Sequence, residues 1–297
     1  MKQTMMAYMV ATIVSFAVIG GLIMQPISSM AQEQQQQQQD NEEQGQDNLA
    51  QGQEQQQQQQ DNLAQLQDQP DTRTPSTTAA CGQVVEGLVE LNSNLNCSGD
   101  GLIVGGDSTT IRLNGHTIMG PGPDSSKVGV SVGNQDGVRI EGPGTIEQFQ
   151  AGILASGAEG TMISELILED NQIAIFSTGT EGLQAMQNII TRNSIGVASH
   201  SSNALELREN LLTGNVLAGI TFVATGESLV STNNVIESEN GIFVDPQSSD
   251  NNIESNNVLR NKVDLNNANG LATNVNQNGF SDNNCQISNP SGLCIGR

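Results

Sequence analysis

The side chains that could do chemistry are few and scattered. From Cys81 onward there are two His (His116, His200), three Met (Met119, Met162, Met186), four Cys (Cys81, Cys97, Cys285, Cys294) and eight basic residues against 23 acidic ones. Two of the basic residues, Arg112 and Arg139, each immediately precede an apolar residue, Leu113 and Ile140, in segments of similar pattern. They are expected side by side on one face, in equivalent strands, with Glu141 close to Arg139. Neighbouring guanidinium groups repel unless something anionic lies between them, and Arg is suited to bidentate contact with a carboxylate. A uronate or sulfate would serve, and so would Asp136 or Glu141 of the chain itself. His116 follows a turn, where it suits capping a bend better than acting as a base. Zinc is not expected, because no Cys-x-x-Cys occurs. Calcium finds no Asp-x-Asp-x-Asp frame. The expected inventory holds no metal and no cofactor.

The elements that would position these residues are written in a repeat. A small residue followed by a branched apolar one recurs as Gly129-Val130, Gly152-Ile153, Ala174-Ile175, Gly196-Val197, Gly219-Ile220 and Gly241-Ile242, with an imperfect copy at Asp264-Leu265; the spacing is 22 or 23 residues. A second apolar column reads Ile146, Leu168, Ile190, Leu212, Ile236 and Leu259, and a third column reads Asn188, Asn210, Asn234 and Asn257. Columns in step imply a solenoid whose repeat is one coil. Apolar residues alternate with polar or small ones, as in Leu205-Glu206-Leu207 and Val138-Arg139-Ile140, which is strand periodicity. Each repeat has room for about three short strands, stacked at ~4.8 Å per coil. The expected fold is all-β, a right-handed parallel β-helix solenoid. The Gly column suits a bend or a close backbone approach. The Asn column suits bends whose amides hydrogen-bond from coil to coil.

Residues 1–31 carry Lys2, an apolar run from Met5 to Met24 and Ser29-Met30-Ala31. They read as a signal peptide, or as an N-terminal anchor if uncleaved; membrane contact is expected only in the second case. Residues 32–80 are Gln-rich, with a duplicated tract at Gln34–Gln39 and Gln55–Gln60. They read as a disordered linker, because no apolar face is available to fold them. Residues 81–297 form the β-helix. Four Cys allow three connectivities. The ends of a solenoid are far apart, so Cys81–Cys97 and Cys285–Cys294 are the expected pairs, stapling the two end caps in an oxidising compartment. The net charge of −22 argues against nucleic acid and anionic membrane surfaces.

The run Cys81-Gly82 to Leu95-Asn96-Cys97, followed by Leu113-Asn114-Gly115-His116-Thr117-Ile118, resembles the first coils of secreted right-handed β-helix proteins of the pectin-lyase-like fold. The later Asn-Gly-Ile-type repeats are similar to those of the periplasmic copper-binding β-helix family. The resemblance implies the architecture. It does not imply one activity, since the fold hosts lyases, hydrolases, epimerases and binding proteins. The lyase pattern of clustered Asp beside a basic residue is not legible here. The hydrolase Gly-His-Gly segment and the epimerase Asp-Pro-His-Glu motif are absent, the nearest fragment being Asp245-Pro246-Gln247. Copper capture would need clustered His or Met, and these residues fall on different coils. Five Phe and neither Trp nor Tyr follow Cys81, which excludes a groove lined by Trp or Tyr; alternation allows Phe176 and Phe243 to point outward, whereas the usual burial of Phe favours packing under a loop or within a bend. The expected function is a secreted or cell-surface scaffold or binding protein recognising extracellular polysaccharide or cell-envelope glycan, with Arg112 and Arg139 as the contact residues. The alternative is a polysaccharide lyase or related carbohydrate enzyme of this fold.

Overall fold

In a computed structural model of the chain, residues 79–271, 275 and 277–295 are described. The expected signal segment 1–31 and almost all of the Gln-rich linker lie outside them. The described chain is all-β and runs through three sheets in turn, strand by strand. Sheet 1 has ten strands, from Gln83–Val85 to Ser288–Asn289; sheet 2 has nine, from Leu88–Glu90 to Gly279–Ser281; sheet 3 has nine, from Leu95–Asn96 to Asn284–Cys285. Every pairing between neighbouring strands is parallel, so the three sheets are the sides of a parallel β-helix.

Sheet 1 aligns Leu102, Val130, Ile153, Ile175, Val197, Ile220, Ile242 and Leu265 in register. From Val130 onward this is the first column of the sequence, and all eight residues are buried. A fully buried branched side chain contributes roughly 1.5–3 kcal/mol. One coil cannot enclose such a core, so that gain depends on stacking.

The small residues ahead of this column are there for close approach. A Cβ on Gly196 would lie 2.5 Å from the carbonyl oxygen of Gly219, and one on Gly241 would lie 2.5 Å from that of Asp264. Neither glycine has positive φ, so proximity and not bending selects them.

The bends are built by a different device. Between sheets 2 and 3 a left-handed residue recurs at Glu165, Gln187, Glu209, Thr232, Ser255 and Asp282. Between sheets 3 and 1 it recurs at Gln148, Asp170, Arg192, Glu237 and Arg260. In most coils a buried Asn follows and satisfies the turned backbone. Asn210 Oδ1 accepts the backbone N–H of Asn188 at 3.0 Å, and its Nδ2 donates to the Ala185 carbonyl at 2.8 Å and to Asn233 Oδ1 at 3.0 Å. The ladder continues through Asn256 to Asn283. A second one joins Asn171, Asn193 and Asn215.

Two sequence columns shift by one residue in the later coils. The buried ladder continues through Asn233 and Asn256, not Asn234 and Asn257, and the inward column of sheet 3 continues through Val235 and Val258, not Ile236 and Leu259. The doublets Asn233-Asn234, Val235-Ile236 and Val258-Leu259 offer either register, and the corner hydrogen bonds select one. Asn234, Asn257 and Asn284 form a separate outward ladder.

Both ends are stapled. Cys81 is bonded to Cys97 and Cys285 to Cys294, with no free Cys.

Candidate functional site

The two predicted contact residues share the outer face of sheet 2 but are not partners. Register places Arg139 opposite Thr110, and Arg112 opposite Glu141. Arg112 follows the inward Ile111, whereas Arg139 precedes the inward Ile140, so they sit two residues apart along the strand. The side-by-side guanidinium pair expected from the sequence is therefore corrected. Arg112 donates to Glu141 at 3.1 Å and to Glu90 at 3.3 Å. Glu141 above all keeps this guanidinium more firmly protonated than usual. Arg139 points Nη1 at the thioether of Met162, 3.2 Å away. His116 occupies the sheet 2–sheet 3 bend, one residue before Thr117, where later coils carry Asn188 and Asn210. Its backbone N–H closes a turn onto Leu113, and its carbonyl accepts from Thr145.

A different constellation is assembled where sheet 3 turns into sheet 1. Glu147 and Glu169 end consecutive strands, Thr145–Glu147 and Ile167–Glu169, in register and facing outward. Asp170 and Arg192 are the left-handed corner residues of successive coils. Arg192 reaches back to both neighbouring carboxylates, with Nη2 2.6 Å from Glu169 and 3.0 Å from Asp170, and Nε 3.1 Å from Asp170. Carboxylate oxygens of Glu147, Glu169 and Asp170 lie within 4.8 Å of one another, and all three residues are half-buried.

The cluster polarises its own members. Partial burial pushes the Glu147 carboxyl above the usual carboxylate range; the charges of Glu169 and Asp170 push the same way, and Arg192 opposes them. Arg192, hydrogen-bonded to Asp170, is held protonated beyond the ordinary Arg range. The corner thus gathers three carboxyl groups, two of them ion-paired with Arg192, and burial makes Glu147 the one that ionises less readily than usual. The sequence signal was available: Ile146-Glu147 and Leu168-Glu169 share the 22-residue beat. Attention to the apolar columns alone hides it.

The outer face of sheet 1 is the second candidate surface. Its six strands from Val128–Gly133 to Asn240–Val244 contain no Asp, Glu, Lys or Arg. One outward column runs Ser131, Leu154, Phe176, Ala198, Thr221 and Phe243. Phe176 and Phe243 are half-buried there, whereas Phe149 and Phe222 are fully enclosed.

Comparison with known proteins places the fold in a lineage. The family model described as "Periplasmic copper-binding protein (NosD)" matches residues 97–292. The chain belongs to the NosD family. That membership, with two disulfides, fits a location outside the cytoplasm. No curated protein matches the chain. Among solved structures it is similar to the Dettilon tailspike protein, at 17% identity and a TM-score of 0.48, over 62% of this chain and 44% of that one. It is also similar to DFA-IIIase from Arthrobacter chlorophenolicus A6 without its lid, at 14% identity and TM-score 0.48, over 66% and 56% of the two chains. The periplasmic alginate epimerase AlgG gives 15% identity and TM-score 0.46, over 69% and 66%. The chain thus spans about half the length of the first of these structures.

Copper, which the NosD family description implies, needs clustered soft donors. In this NosD-family chain the described residues do not supply them. His116 precedes and Met119 ends the sheet 3 strand Thr117–Met119, Met162 and Met186 lie on sheet 2, His200 at the end of a sheet 1 strand, and every Cys is oxidised.

Proposed function

We propose that this NosD-family β-helix is an exported, secreted or cell-surface binding protein that recognises extracellular or cell-envelope polysaccharide along the outer face of sheet 1. The observation that carries this reading is the charge-free strip. In a chain of net charge −22, strands from six successive coils expose only apolar side chains, hydroxyls, amides and one His. Aromatic and aliphatic side chains take the apolar faces of sugar rings, and hydroxyls at the strand ends, such as Ser156 and Thr178, take their polar edges. A strip without charge favours a neutral glycan over a uronate. The test is isothermal titration of neutral and acidic oligosaccharides against the full mature chain and Phe176→Ala/Phe243→Ala. The expected result is at least a tenfold loss of neutral-glycan affinity, with Arg112→Ala/Arg139→Ala unchanged. Equal binding by wild type and the Phe variant discards sheet 1. Loss in the Arg variant, with preference for acidic sugars, returns the site to sheet 2.

One observation favours a second reading, cleavage of the bound glycan. Glu147 and Glu169 bring carboxylate oxygens within 4.8 Å of one another on adjacent coils, and burial raises the Glu147 carboxyl; paired carboxyl groups in unlike environments are what glycoside cleavage uses. Release of reducing ends that Glu147→Gln abolishes would favour it. Appearance of unsaturated uronates would instead favour a lyase.

A further inference from the structure

The family's described ligand and this chain's donors disagree, and the disagreement extends to single atoms. Copper is held by thiolate, imidazole or thioether groups that converge on one point. The four thiols are spent as disulfides. The two imidazoles are on different sheets and different coils. Only Met162 and Met186 lie on adjacent strands of one face. They are the one place among the described residues where two soft donors come from neighbouring coils and the same sheet.

Both of these sulfurs are already engaged by a cation. Arg139 Nη1 donates to Met162 Sδ at 3.2 Å, from the coil before it. Arg208 Nη2 donates to Met186 Sδ at 3.4 Å, from the coil after it. A guanidinium is always charged. A metal cation approaching either sulfur would meet a guanidinium, that of Arg208 being also paired with Glu206 at 2.9 Å, and would compete with its N–H for one of the sulfur lone pairs. The remaining cluster, Glu147, Glu169 and Asp170, offers hard oxygen donors, and Glu169 and Asp170 are already bridged by Arg192. Oxygen donors of this kind suit Mg²⁺, Ca²⁺ or Mn²⁺ better than copper.

We infer that this member of the NosD family does not hold copper on its β-helix, and that Met162 and Met186 are guanidinium acceptors that fix Arg139 and Arg208 against sheet 2. The experiment is an anaerobic titration of Cu(I) into the full mature chain in the presence of a chromogenic Cu(I) chelator, repeated with Met162→Leu/Met186→Leu and His116→Gln/His200→Gln. Circular dichroism melting checks that the variants fold. The expected result is that wild type takes no copper from the chelator and matches both variants. Stoichiometric uptake that either variant weakens tenfold or more overturns the inference. Stoichiometric uptake that persists in both variants overturns it too, since Met119 and the carboxylates of the helix remain as donors.

Discussion

Asn210→Ala tests whether the bends or the apolar columns set the stability of this helix. Asn210 is 2% exposed. Its Oδ1 accepts the Asn188 backbone N–H and the Asn188 Nδ2, both at 3.0 Å; its Nδ2 donates to Ala185 O at 2.8 Å and to Asn233 Oδ1 at 3.0 Å. Alanine removes all four bonds and leaves the Asn188 N–H buried without a partner. An orphaned buried donor costs about 1–3 kcal/mol, and each other lost bond about 0.5–1.5 kcal/mol. The total is about 2.5–7.5 kcal/mol. For a domain of this size that corresponds to a fall of at least about 5 °C in melting temperature. Asn257→Ala is the comparison. Asn257 also makes two side-chain ladder bonds, at 3.0 and 2.7 Å, but it faces outward, where water replaces what is lost, so it should cost less than about 1 kcal/mol. Urea unfolding followed by circular dichroism measures both. The Asn210 variant should shift the midpoint strongly without changing the slope. Equal shifts for the two variants would refute the argument that burial of the corner amide decides its worth.

Three further outcomes are expected. Ile175→Asp places an unpaired charge between Ile153 and Val197 in the sheet 1 stack, so it should cost more than about 4 kcal/mol and abolish recovery of folded protein; a near-native melt would contradict the core assignment. Asp264→Ala strips the buried carboxylate that accepts N–H groups from Asn261 at 3.0 Å, Gln286 at 2.8 Å and Ile287 at 3.0 Å, and hydrogen exchange should accelerate selectively around Ile287 while sheet 1 strands near Ile175 stay protected. The Glu147 carboxyl is raised on folding, so the native state binds the extra proton; its contribution is most favourable below the usual carboxylate pKa and is lost as pH rises through the raised value. Glu147→Gln should flatten that slope, and an unchanged stability–pH profile would show that the carboxyl is not perturbed.

How much of this was legible beforehand depends on which atoms carry the signal. The first apolar column could be read residue by residue from Val130 to Leu265, because a parallel stack repeats the same environment at each coil and the repeat length is written in the chain. The local disulfides followed from the same one-dimensional logic. The doublets Asn233-Asn234 and Val235-Ile236 could not be resolved, since alternation accepts either member as inward and only the corner hydrogen bonds distinguish them. The Arg112–Arg139 pair failed for a related reason. Each arginine flanks an inward residue, but on opposite sides of it, and a two-residue offset along a strand is invisible without the register.

The sequence by itself determined the architecture: a period of 22 or 23 residues, strand alternation and small residues where backbones touch admit a parallel β-helix and little else. The tertiary structure decided what meets what on its surface. Glu147 and Arg192 are 45 positions apart in sequence, and with Glu169 and Asp170 they become neighbours because three successive coils bring the same corner back one strand spacing higher. The methionine sulfurs of sheet 2 are screened by arginines from the coils before and after them. Such contacts depend on coil register and on side-chain direction at the bends, which are set by the stacked whole and not by any single repeat.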